Sequence, residues 1–204
     1  MLGRWSPWHA TGRQRAPYGD ATTYALGAAF LDDCAMVEDW GCGLGWFSTY
    51  RPPGTCRGVD GTPGPSVDVI ADLTAYQSST EGVFVRHVLE HNHDWAAILD
   101  RAVSSCTRRF ALVLFVPPGD ALRQVGFSRD VGVPDLSLPA AEIEARLRPF
   151  HRTRLVIRTA TQYGEETCYF ATRPPAHHPT VLRALGDLRS AALVSAEFRA
   201  AAGE

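Results

Sequence analysis

Residues 36–45 read MVEDWGCGLG and run directly into WFSTYRPPG at 46–54. A short apolar push from Met36 to Trp40 is followed by glycines at 41, 43 and 45, which reads as a strand ending in a turn. Glycines at these places let the backbone pass close to a ligand, and free amides at the start of a following helix offer hydrogen bonds. Trp46, Phe47 and Tyr50 are spaced for the inner face of that helix, and the two prolines stop it. A tight loop needed only for packing would be spelled the same way, so a second signal is required. It comes in CRGVDG, a second strand whose Asp60 lies 19 positions after Gly41. There an acidic side chain grips ribose hydroxyls in nucleotide-binding βαβ units.

The rest of the chain falls into place around this pair. Before it, Ala, Leu and Phe recur at helical spacing from Asp20, a residue able to cap, to about Asp33. After it, SVDVIADL gives a third strand ending near Asp72, and GVFVR a short fourth. Trp95, Ile98, Leu99, Ala102, Val103 and Cys106 mark an amphipathic helix with Asp94 or Asn92 as its cap. RFALVLFV, continuously apolar, is a central parallel strand covered on both faces. Residues 121–138, with their Gly, Pro and Asp, read as loop, and Pro139 opens a helix ending near Phe150. RLVIRTATQYGEETCYFATR makes two antiparallel strands around a turn at Tyr163 to Glu165. The economical architecture is α/β: a three-layer sandwich with a Rossmann-like, mostly parallel sheet and a C-terminal antiparallel strand pair. One domain spans 1–204, divided into an N-terminal arm and helix (1–35), a core (36–173) and a C-terminal helical segment (174–204).

With 20 basic against 22 acidic residues the chain has no global field for gripping DNA or RNA, so nucleic acid is not the expected partner. Five cysteines without a C-x-x-C pair suggest neither a disulfide framework nor a thiolate zinc site, and point to a reducing cytoplasm. The N-terminus lacks an apolar signal core, and no uncharged run approaches the roughly 20 residues that span a bilayer.

VFVRHVLEHNHDW, residues 83–95, contains His87-x-x-Glu90-His91, the spelling of an inverted zinc hydrolase helix. Here His87 follows a strand directly and the helix begins only near Asp94, so HVLEH reads as one turn at the mouth of a crevice, with no metal expected. His87 is more often structural in such a place, and His91 is the better functional candidate.

These segments together resemble class I S-adenosylmethionine-dependent methyltransferases of the small-molecule type. VEDWGCGLG resembles their first motif, GVD the second, ADL the third, and residues 83–95 the segment after strand four. The resemblance implies that Asp39 orients the glycine loop near the methionine amino group and that Gly41, Cys42, Gly43 and Gly45 line the cofactor. Asp60 and Gly61 would then hold the ribose, Asp72 and Leu73 the adenine, with Arg86 and His87 alongside. His91 is implied as a general base, with Glu90 and Tyr163 as further catalytic candidates. Tyr18, Arg86, Asp135 and Tyr163 are candidates for the acceptor side. The expected partner is a small-molecule methyl acceptor, with no membrane, and the expected assembly a monomer or homodimer. Alternatives are an adenosylmethionine-binding protein that does not catalyse, a zinc hydrolase, and an NAD-dependent oxidoreductase; the last would need a third glycine where Trp46 stands.

Overall fold

The computed structural model describes residues 19 and 21–174, apart from 130. The expectations for Tyr18, for an Asp20 cap and for a C-terminal helical segment lie outside the described residues. Helix α1, Thr22–Phe30, precedes β1 (Val37–Trp40), β2 (Cys56–Asp60), β3 (Val69–Ile70) and β4 (Thr80–Arg86). Then come α2 (Trp95–Ser105), β5 (Cys106–Leu114), β6 (Arg123–Ser128), β7 (Val133–Ser137), α3 (Ala140–Arg146), β8 (His151–Arg158) and β9 (Glu165–Thr172). Seven strands form one sheet in the order β3-β2-β1-β4-β5-β9-β8. Strands β1 to β5 run parallel, and β9 is antiparallel to both β5 and β8. The mostly parallel α/β sheet with its C-terminal antiparallel pair is therefore present.

The two faces are covered unequally. On one, α1 lays Leu26, Phe30 and Leu31 against Val37, Phe84, Ala111 and Phe170. The approach is close: a Cβ on Gly27 would stand 2.4 Å from the Phe84 ring. On the other face, α2 and α3 contribute Trp95, Ile98, Leu99 and Ile143 to a core with Val83, Val85, Phe110 and Leu112.

Three expectations are corrected. The helix after the glycine loop is a single 3-10 turn, Phe47–Tyr50, because Pro52, Pro53 and Gly54 end it before it can lengthen. Of its aromatic residues only Phe47 is buried, stacked on Phe84 with centroids 4.0 Å apart, while Tyr50 is 37% exposed. Residues 121–138, read as loop, instead contain the hairpin β6–β7, a separate two-stranded sheet with a bulge between Gln124 and Gly126. The third strand is also shorter than expected, reduced to Val69–Ile70. Past it no helix forms; Tyr76 and Ser78 instead donate hydrogen bonds to the buried Glu38 carboxylate, at 3.2 and 2.6 Å.

Candidate functional site

The carboxyl ends of β1, β2, β4 and β5 open into one crevice of about 480 Å³. Sheets of this kind bind ligands there, and the volume falls within the ordinary range for small-molecule sites. Of the residues singled out from the sequence, Gly41, Cys42, Gly43, Asp60, Gly61, Asp72, Leu73, Arg86, His87, His91 and Asp135 line it. Asp39, Gly45, Glu90 and Tyr163 stand behind the wall.

At the glycine end, Gly41, Gly43 and Gly45 all take positive φ, 74°, 53° and 74°. A Cβ at Gly41 would come within 2.3 Å of Val88, and one at Gly45 within 2.4 Å of Ser66. The loop is tied to the second strand by Asp60, whose Oδ2 accepts from the Gly43 N–H at 3.0 Å and Oδ1 from the Thr62 N–H at 2.8 Å. Each oxygen keeps a further lone pair for a ligand hydroxyl. Asp39, buried beneath the loop, has its carboxyl pushed up to about 8 by burial and by the neighbouring Asp60 charge, with Arg86 opposing. Asp72 is exposed and caps its own turn, Oδ1 accepting from Thr74 N–H at 3.0 Å and Thr74 Oγ1 at 2.7 Å. Those bonds hold its pKa down.

These residues fit an adenosylmethionine-sized ligand. The tight loop admits no side chain at 41 or 45, where Val88 and Ser66 stand in the way, so its backbone lies open at Gly41 and Gly43, and the indole Nε1 of Trp46, a crevice residue, is a buried donor with no protein partner. A ligand carboxylate or hydroxyl would satisfy it.

At the other end, β4 leads into a strained residue. His87 has φ of 57°, rare for a residue with a side chain, and a conformation of this kind persists only where surroundings fix it. Its backbone N–H donates to Val113 O at 3.0 Å, and its Nε2 meets Glu166 Oε1. Glu166 also takes Arg86, Nη2 to Oε1 at 2.8 Å, and Arg86 Nε donates to Thr23 at 2.9 Å while its guanidinium lies 4.2 Å from the Tyr24 ring centre. Burial, with the Arg86 charge beside it, drives the His87 imidazole well below its ordinary pKa. Neutral, it is a donor to Glu166, which makes His87, Arg86 and Glu166 one buried unit.

Leu89–His91 forms the expected single turn, and its two polar side chains part company. Glu90 points inward: fully buried, it accepts the Phe115 N–H on Oε1 at 2.6 Å, and burial pushes its carboxyl up to about 8. His91 faces the crevice. Its Nδ1 lies 2.9 Å from the Pro134 carbonyl and 3.5 Å from Asp135 Oδ1. A carbonyl can only accept, so Nδ1 carries the hydrogen and Nε2 is the basic nitrogen of the neutral ring. Burial lowers its pKa, opposed by Pro134 O and Asp135. Asp135 is itself held, Oδ2 accepting from Gln162 Nε2 at 2.6 Å and Tyr163 OH at 3.2 Å. Tyr163 thus reaches the site through Asp135. Among the described residues no three His, Cys, Asp or Glu side chains gather to hold a metal ion.

Tyr24, Trp46, Thr62 and Phe115 also line the crevice and were missed as site residues, and the hairpin adds Phe127, Ser128 and Val131. The position of Phe115 just past β5 was the one available signal.

The backbone resembles solved proteins over most of its length. One is the 1,6-didemethyltoxoflavin-N1-methyltransferase of Burkholderia thailandensis, with TM-score 0.64 and 17% identity over 84% of this chain and 86% of that one. The magnesium protoporphyrin IX methyltransferase of Synechocystis aligns with TM-score 0.56 and 19% identity over 74% and 82%. A sugar N-methyltransferase from Streptoalloteichus gives 0.58 and 12% over 86% and 95%. This chain has the class I S-adenosylmethionine-dependent methyltransferase fold. The strand order with its reversed β9 and the crevice at the strand ends are features of that methyltransferase fold here. No family profile matches the sequence, and no curated protein does.

Proposed function

We propose that the protein transfers a methyl group from S-adenosylmethionine to a small-molecule acceptor, with His91 as general base. The observation that carries this reading is one crevice lined by both the Gly41–Gly43 loop, bonded to Asp60, and by His91 in its Nδ1–H tautomer. Asp60 would hold the ribose, the loop and Trp46 Nε1 the amino-acid end, and Leu73 the adenine ring. The bound donor supplies a methyl carbon activated by positive sulfur; the chain must align the acceptor and take its proton. Small-molecule acceptors named for two of the solved neighbours, didemethyltoxoflavin and a sugar, support the acceptor class.

The chain acts in this reading as a single domain, monomeric or homodimeric, in the cytoplasm, where five free cysteines suit a reducing medium. No helix among the described residues is long and apolar enough to cross a membrane. The test is calorimetric titration with adenosylhomocysteine and with NAD, followed by transfer of labelled methyl. Micromolar adenosylhomocysteine binding without NAD binding is expected; selective NAD binding would overturn the assignment. A protein that binds the donor but forms no adenosylhomocysteine with any acceptor would be the non-catalytic binding protein instead.

A further inference from the structure

We propose that the acceptor is a flat aromatic or heteroaromatic compound bearing an acidic ring O–H or N–H, laid against Phe127 with that hydrogen directed at His91. This rests on the methyl-transfer reading above. The acceptor end of the crevice is two-sided in chemistry. Phe115, buried, backs the site, its ring 5.2 Å from that of His91 and 5.0 Å from that of His87. Opposite the strand ends, the β6–β7 hairpin adds Phe127 and Val131, and Phe127 is 53% exposed although it lines the crevice, an aromatic surface with room for a partner.

The polar groups beside His91 hold one another. Asp135 serves His91 with one oxygen and Gln162 and Tyr163 with the other. A sugar would press hydroxyls against Phe127 and Val131, each losing water without a protein partner there. A flat ring lays its faces on the apolar walls and presents a single polar edge to His91.

The strength of the base points the same way. Burial holds the imidazole below its ordinary value near 6.5. A phenol, near 10 on the tyrosine scale, stands a few powers of ten uphill of it. An aliphatic hydroxyl, close to bulk water at about 15.7, is uphill by roughly nine or more. In the step itself the acceptor's electron pair forms the new bond to the methyl carbon, and the pair of the breaking carbon–sulfur bond stays on sulfur. The proton passes to His91 Nε2, so the products are the methylated acceptor, a neutral thioether and an imidazolium that later returns its proton to water.

The probes are 2-naphthol, its saturated counterpart decalin-2-ol, and glucosamine, each offered to the full-length protein loaded with adenosylhomocysteine. Naphthol fluorescence should report saturable binding, weakened about tenfold or more by Phe127→Ala and not competed by equal concentrations of the other two. Labelled methyl should pass from S-adenosylmethionine to 2-naphthol. Absence of saturable naphthol binding, the same affinity in F127A, or competition or methylation of decalin-2-ol or glucosamine in place of naphthol would each overturn the acceptor class. Loss of adenosylhomocysteine binding by the wild-type protein is a separate result, and sinks the methyl-transfer reading itself.

Discussion

Asp60 is bonded into the loop it is proposed to work with, so its removal has two consequences. Asp60→Ala deletes the acceptor of the Gly43 and Thr62 amides, and in the proposed complex the partner of the ribose hydroxyls. Hydrogen bonds to a charged group contribute about 1.5–3 kcal/mol each. Adenosylhomocysteine affinity in D60A should therefore fall tenfold or more, with a small drop in melting temperature; unchanged affinity by calorimetry would remove Asp60 from the site. His91 differs in that the fold does not hang on it. His91→Asn should keep donor affinity and lose about 10²- to 10⁴-fold in turnover. Because burial lowers the His91 pKa, the wild-type rate should stay level as pH falls to 6.5 and decline only below it. Asp135 opposes that lowering, so Asp135→Asn should move the decline to still lower pH. Single-turnover methylation against pH reads both effects, and a wild-type rate and profile in H91N would end the base assignment.

The hairpin β6–β7 is the element that completes the site, and it was the least visible in the sequence. Its inner strand carries Pro134 and Asp135, and its outer strand Gly126, residues that argue against strand anywhere else. They are tolerated because Pro134 offers only its carbonyl, to His91, and because Asp135 is paired by residues 27 or more positions away. No local pattern carries that information. Gly126 makes the arrangement fit: a Cβ there would stand 2.7 Å from Asp135 Oδ2 and 2.9 Å from Tyr163 OH. Gly126→Ala should displace Asp135 and slacken His91, lowering turnover several-fold while adenosylhomocysteine affinity holds; equal loss of both in kinetics and calorimetry would mean a general unfolding of the mouth. By contrast β5 was legible because a strand buried on both faces is apolar without interruption, and β1 because its glycines must follow a strand end. The helix after the glycine loop was over-read: Trp46, Phe47 and Tyr50 have helical spacing, but spacing does not say that two prolines leave room for only one turn.

Around the crevice burial pushes Asp39, Glu90, His87 and His91 toward their neutral forms, two acids and two bases, and their opposed effects shape stability with pH. Asp39 and Glu90 are both raised to about 8 by burial, the first beneath the glycine loop and the second against the end of β5. In the unfolded chain they ionise near 4. Between about pH 4 and 8 the folded state thus binds more protons than the unfolded, and their contribution, complete below pH 4, is lost as pH rises toward 8. His87 and His91 are depressed, so theirs is complete above the unfolded value near 6.5 and is lost as pH falls below it. Just below the unfolded histidine value near 6.5 the two pairs oppose one another, and the fall in stability with pH should be shallower there. From 6.5 to 8 only the acids act, and stability should fall. Urea unfolding at a series of pH values should show the midpoint declining across neutrality, more steeply above pH 6.5 than just below it. Glu90→Gln, whose amide oxygen can still accept the Phe115 N–H, should remove about half of that decline, as should Asp39→Asn. A midpoint that rises from pH 6.5 to 8, or one unaltered in slope by both substitutions, would show that the two carboxyls are ionised within the fold.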